Sequence, residues 1–179
     1  MLFAFIQTVS LSAQDTLPHY ELELHYGISI NQGLNHLYGA EFRPRISPVL
    51  FGINYSKFFT EKSGWGIEVD YVHKGVQNYV IDYMVFSILY TRRFNGIFRK
   101  AFIGPYYGKM FSYKKNGVVL SSPTLKYYDY GIECGFHLSI PVLYKKYGLS
   151  ISPRTELGML RFSNSYHFVG QIKLSWEIR

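Results

Sequence analysis

Two groupings of side chains in this 179-residue chain are of types and spacings that could do chemistry. The first is Ser163-Asn164-Ser165 followed by His167, a hydroxyl and an imidazole close enough in sequence to serve as nucleophile and general base. The second is a set of acids, several spaced two apart: Glu21, Glu23, Glu68, Asp70, Asp129, Glu133, Glu156 and Glu177. They accompany the bases Lys74, Arg154, Lys173 and Arg179. Such a set could form a proton relay, an ion path or a paired-carboxylate catalytic site. Each grouping also has a structural reading, and that reading is preferred in both cases. A turn uses Ser-Asn-Ser for local hydrogen bonds, and acids matched with bases form a buried ion-pair network. The histidines His19, His25, His36, His73, His137 and His167 lack ligand spacing, and the single Cys134 excludes an intrachain disulfide or a cysteine-based zinc site. No Gly-rich phosphate loop precedes a helix. No catalytic, cofactor-binding or metal-ligating residue is assigned.

The elements that carry these residues are strands. In the last segment Phe168, Gly170, Ile172, Leu174, Trp176 and Ile178 alternate with Val169, Gln171, Lys173, Ser175, Glu177 and Arg179. Near the start Tyr20, Leu22, Leu24, Tyr26, Ile28 and Ile30 alternate with Glu21, Glu23, His25, Gly27 and Ser29. The segment Tyr128–Ile140 alternates in the same way. A helix would scatter these residues around its circumference, whereas a strand sends alternate residues to opposite faces. Further strands are expected at Val49–Phe58, Gly64–Lys74, Tyr79–Arg92, Lys100–Tyr113 and Tyr147–Leu160. Tyr79–Arg92 and Lys100–Tyr113 carry apolar residues on both faces, so alternation does not fix their facing.

The composition is 47% hydrophobic, yet the chain has no apolar run of the roughly 18 residues that a membrane helix needs. Met1–Gln14 resembles a secretory signal, apolar at Leu2–Ile6 and small at Ser10, Ser12 and Ala13. The remainder, residues 15–179, allows about 20 residues per strand and connection for eight strands. The expected fold is all-β: a single antiparallel up-and-down transmembrane β-barrel. Facing follows from size. With 17 Tyr, 14 Phe and 2 Trp, the aromatics are too many for the narrow interior of an eight-stranded barrel. The apolar face therefore meets lipid, and the small and charged residues fill the lumen. Cys134 then faces lipid, and Tyr20, Trp65, Tyr71, Tyr79 and Trp176 lie at strand ends, where amphipathic rings suit the membrane interface.

With a periplasmic N-terminus, Asn31–Ile46 and Lys114–Lys126 become external loops, and Thr60–Ser63, Arg93–Arg99 and Pro141–Lys146 periplasmic turns. Arg92-Arg93, Lys114-Lys115 and Lys145-Lys146 become rim charges that attract anionic headgroups. The net charge of +7 is spread over turns and strand ends without one stripe, which argues against a nucleic-acid partner.

Several strand and turn signatures point to a family. Glu68-Val69-Asp70-Tyr71 leads to Lys74-Gly75; Tyr83-Met84-Val85-Phe86-Ser87-Ile88-Leu89-Tyr90 and Ala101-Phe102-Ile103-Gly104-Pro105-Tyr106 follow. With Tyr130-Gly131-Ile132-Glu133-Cys134-Gly135 and Tyr147-Gly148-Leu149, they resemble the PorT-like outer-membrane β-barrel domain family common in Bacteroidetes. The resemblance covers about Tyr20 to Arg179. It implies an integral outer-membrane barrel of the cell envelope and offers no catalytic residue to carry over. The expected role is a structural or interaction component with a polar, plugged lumen, possible partners being outer-membrane lipid and proteins of a secretion or gliding assembly. The alternatives are a small passive pore and a lipid-modifying barrel enzyme of the deacylase type. Lipid A deacylases have a His two residues before a Ser-Asn pair, and here Arg161 holds that position.

Overall fold

The computed structural model describes residues 19–33, 45–76, 79–115, 118–119, 128–139, 141–160 and 165–178. The expected signal segment Met1–Gln14 lies outside them, as do most of the two long loops. The elements are β1 (His19–Gly33), β2 (Arg45–Phe58), β3 (Ser63–Val76), β4 (Tyr79–Arg93) and β5 (Phe98–Lys115). The two-residue β6 (Val118–Val119), β7 (Tyr128–Leu138), α1 (Pro141–Tyr147), β8 (Leu149–Leu160) and β9 (Ser165–Ile178) complete the series. Every pairing is antiparallel between sequence neighbours, except that β5 pairs with β7 across β6 and β9 returns to β1. Leu24 lies opposite Trp176 and Ile28 opposite Ile172 in that last seam. The β4–β5 pairing joins what would be the two sides of an open sheet, so the eight long strands form a closed ring without an edge.

The wall is inverted relative to a soluble barrel. Leu24, Ile53, Ile67, Ile88, Ile103, Ile132, Leu157, Ile172 and Leu174 are exposed, whereas Glu68, Asp129, Glu133, Glu156 and Lys173 are at most 1% exposed. Alternation explains this, because in β9 the residues Val169, Gln171, Lys173 and Ser175 point in while Ile172, Leu174 and Trp176 point out. Aromatic rings gather at both ends of the wall. At the end carrying the short turns, Tyr20 stacks on Tyr55, Trp65 meets Tyr90 edge-on, and Phe98 packs between Phe94 and Phe136. Nearer the loops, Tyr71 lies between Phe51 and Phe111, and Tyr107 meets Tyr128. Such girdles suit the two interfaces of a bilayer.

The structure also resolves what alternation left open. In β4, Tyr83, Val85, Ser87, Leu89 and Thr91 face the lumen, and Met84, Phe86 and Ile88 face out. Asp82 is buried as well, covered by Tyr71 and His73 of the neighbouring β3, and the β4–β5 register shifts between it and Tyr83. In β5 the even-numbered residues from Lys100 to Gly108 are buried. Three expectations change. Pro141–Lys146 is part of a helix instead of a simple turn, and β8 begins at Leu149 instead of Tyr147. Proline at the first helical position has no N–H to leave unsatisfied. At the helix end, Gly148 takes φ 68° and donates its N–H to the Tyr144 carbonyl at 2.9 Å. Finally, Arg93 is not a rim charge, because it shares the inward face of Leu89 and Thr91; Arg92 is the exposed member of that pair.

The charged interior as candidate functional site

Strand alternation delivers acids and bases from different strands to three levels of one lumen. The central level is drawn from seven strands. Lys173 on β9 donates to Glu68 Oε1 at 2.8 Å and to Asp70, both on β3. Arg154 on β8 donates to Glu68 and to Glu133 Oε1 at 2.9 Å. Further donors come from β2, where Asn54 Nδ2 lies 3.2 Å from Glu68, and from β4, where the Ser87 hydroxyl lies 2.8 Å from Glu133. His25 on β1 places Nε2 3.1 Å from Glu68 Oε2 and Nδ1 2.9 Å from the Ser175 hydroxyl. Gly52 on β2 permits this packing, since a Cβ there would collide with the Asp70 carboxylate. A buried ion costs several kcal/mol to desolvate unless it is paired and its remaining hydrogen-bond sites are used. Here each cation reaches two carboxylates, and the neutral side chains occupy further oxygens.

At the turn end, Lys100 on β5 donates to Glu21 and to Glu23 Oε1 at 2.7 Å, and Arg93 donates to Glu21. The Arg93 guanidinium also lies 3.6 Å from the centroid of the buried Phe58 ring, a cation–π contact. Glu177 stands 4.0 Å from Lys100 and accepts the Tyr144 hydroxyl of α1 at 2.5 Å. Glu21, Glu23 and Glu177 are close enough together to hold a metal ion. The Lys100 ammonium already lies among these carboxylates, and Arg93 joins it at Glu21.

Toward the loops, on the outward face of β3 and β4, His73 Nδ1 lies 2.6 Å from Asp82 and the Tyr71 hydroxyl 2.9 Å from it; the lumen at this height holds a different pair. The Tyr106 hydroxyl donates to Asp129 at 3.0 Å. At this level Leu50, Val72, Tyr83, Val85 and Tyr106 form a buried apolar cluster on the β2–β5 side. The lumen is therefore not polar throughout, and some of the aromatics are inside it.

Of the charges singled out from sequence, Glu21, Glu23, Glu68, Asp70, Asp129, Glu133, Glu156, Arg154 and Lys173 are buried in the lumen. Glu177 joins them at the turn end. Lys74 and Arg179 lie outside the described side chains. Lys100 and Arg93 were missed, the first because β5 is apolar on both faces and gives no parity. Ser163 and Asn164 are outside the described residues. Ser165 and His167 begin β9 opposite Leu160 and Gly158, with no description of their side chains. Cys134 sits half-buried on the outward face between Ile132 and Phe136.

No family model and no curated protein matches the chain. The structure is similar to the outer membrane protein Ail of Yersinia pestis in a phospholipid bilayer nanodisc, with 12% identity and a TM-score of 0.53, covering 89% of this chain and 100% of that one. It is also similar to Ail in complex with the heparin analogue sucrose octasulfate, with 13% identity and a TM-score of 0.52 over 89% and 99% of the two chains. The outer membrane protein OprG of Pseudomonas aeruginosa aligns over 89% of this chain and 96% of its own, with 12% identity and a TM-score of 0.48. The two likenesses to Ail concern the fold. Together with the closed ring, the apolar outer wall and the charged interior, they make this chain a small eight-stranded integral β-barrel of the outer membrane.

Proposed function

We propose that the protein is a non-enzymatic component of the cell envelope whose lumen is plugged by its own ion pairs and whose loop-end segments recognise a partner. The observation that carries this reading is the sharing of buried cations between strands: Lys173 and Arg154 each lie between two carboxylates at the centre, and Lys100 between two at the turn end. Groups so engaged form a fixed filling and leave little freedom for a relay or an ion path. A wall held by lipid and a lumen held by its own charges leave recognition to the loops. The resemblance of the strand signatures to the PorT-like barrels of Bacteroidetes supports placing that partner in a secretion or gliding assembly.

The test is affinity purification from native outer membrane, comparing wild type with a protein whose Leu34–Phe42 segment is replaced by a short Gly-Ser linker. Loss of a co-purifying envelope protein, with heat-modifiable gel mobility retained, is the expected result. Unchanged partners would move recognition to the Lys114–Lys126 segment or the turns. Steady single-channel conductance of the wild type in a planar bilayer would overturn the plugged lumen.

A further inference from the structure

We propose that the groove between α1 and the turn-end tips of β8 and β9 binds the phosphate headgroup of one anionic glycerophospholipid from the adjoining leaflet. The groove encloses about 560 Å³ and is lined by Lys145, Lys146, Tyr147, Leu149, Trp176 and Ile178, together with Gly148 and Glu177. Its composition is graded. Trp176 and Ile178 are exposed members of the outward face of β9, continuous with Leu174 and Ile172. Leu149 carries the same face onto β8, opposite Trp176 in the register. The two lysines close the other side, with the Lys146 ammonium 5.1 Å from the Tyr147 ring centroid. An acyl chain can thus follow Leu149 and Ile178, the glycerol region can meet the Trp176 and Tyr147 rings, and the phosphate can meet two ammonium groups.

The site is built rather than incidental. Tyr144 turns into the lumen mouth, where its hydroxyl reaches Glu177 and the Arg99 guanidinium lies 4.1 Å from its ring centroid. Beyond the helix, the Glu177 N–H donates to the Gly148 carbonyl at 3.0 Å. These contacts hold α1 against β9 and engage the Glu177 carboxylate on the lumen side, away from an incoming phosphate. The exposed Val142 and Leu143 extend the apolar surface along the helix. A lipid occupant is favoured over a protein because the groove's apolar wall is continuous with the wall that already faces lipid.

The experiment uses the full barrel folded into phosphatidylcholine vesicles, with Trp65→Phe introduced so that Trp176 is the remaining tryptophan. Quenching of Trp176 is measured with brominated phosphatidylglycerol and with brominated phosphatidylcholine at equal mole fractions. The expected result is an enrichment of the anionic lipid at Trp176 of about threefold or more, abolished in Lys145→Gln/Lys146→Gln with heat-modifiable mobility intact. Should the double variant fail to fold, each single variant is expected to lose part of the excess. Equal quenching by the two lipids would overturn the proposal. So would an anionic excess that survives loss of the lysines, since that would reflect the general field of a basic barrel.

Discussion

The lumen is lined in two different ways at neighbouring levels. Midway along the barrel, Glu68, Asp70, Glu133, Arg154 and Lys173 meet across the interior, each at most 4% exposed. Toward the loops, Leu50, Val72, Tyr83, Val85 and Tyr106 pack along four adjacent strands. The apolar cluster tolerates imperfect geometry, since losing a methyl costs only the area and cavity involved. The charged level does not, because removal of one partner leaves another ion buried and uncompensated. The difference lies in how failure spreads: locally in one cluster, and through shared carboxylates in the other.

The largest expected effect comes from cutting the shared network. Arg154→Met should destabilise the folded barrel by about 3–5 kcal/mol, because Glu68 and Glu133 both lose a cation. The urea midpoint for unfolding from vesicles measures it, and a change below about 1 kcal/mol would show that the central level is not held by pairing. Combining Arg154→Met with Glu68→Gln should recover part of the loss, a non-additivity that the apolar cluster would not show. Next in size is a charge on the outer wall. Ile172→Arg should cost about 2–4 kcal/mol if it lies near the bilayer midplane, and should impair insertion more than Gln171→Arg. The reverse order would invert the assigned facing.

Smaller effects sharpen the contrast between the two levels. Val72→Ala removes two buried methyl groups from the apolar cluster and should cost about 2 kcal/mol, without coupling to Arg154. Ser56→Ala deletes a hydroxyl that donates to Asn54 Oδ1 at 2.6 Å, at the margin of the charged level. It should cost about 1 kcal/mol, and a loss as large as that of Arg154→Met would mean that the network extends further toward the turns.

Much of this architecture was legible in the residue order. Strand periodicity has a period of two, so Tyr20–Ile30 and Tyr166–Ile178 declared their faces, and the excess of aromatics excluded an interior that could hold them all. That argument located eight strands to within a few residues and sent Glu68, Glu133, Arg154 and Lys173 into the lumen before any contact was known. It was silent where both faces of a strand are apolar, as in β4 and β5, and it missed Lys100 for that reason.

Partner choice is a different kind of information. Alternation says that Lys173 points inward, but the closure of β9 on β1 and the stagger of the strands decide that it meets Glu68 and Asp70 on β3. Bulges are equally nonlocal, since the register shift opposite Asp82 and Tyr83 is set by the pairing with β5 and not by their own neighbours in the chain. The helix Pro141–Tyr147 depends on both levels. Its proline and Gly148 mark its bounds, while the open mouth beneath it, with Glu177 placed to accept the Tyr144 hydroxyl, gives its aromatic side chain a buried place. The sequence by itself determined which way each regular strand faces, because facing is set by local stereochemistry and solvent. Only the tertiary structure decided which charges meet, because that depends on how the ring closes.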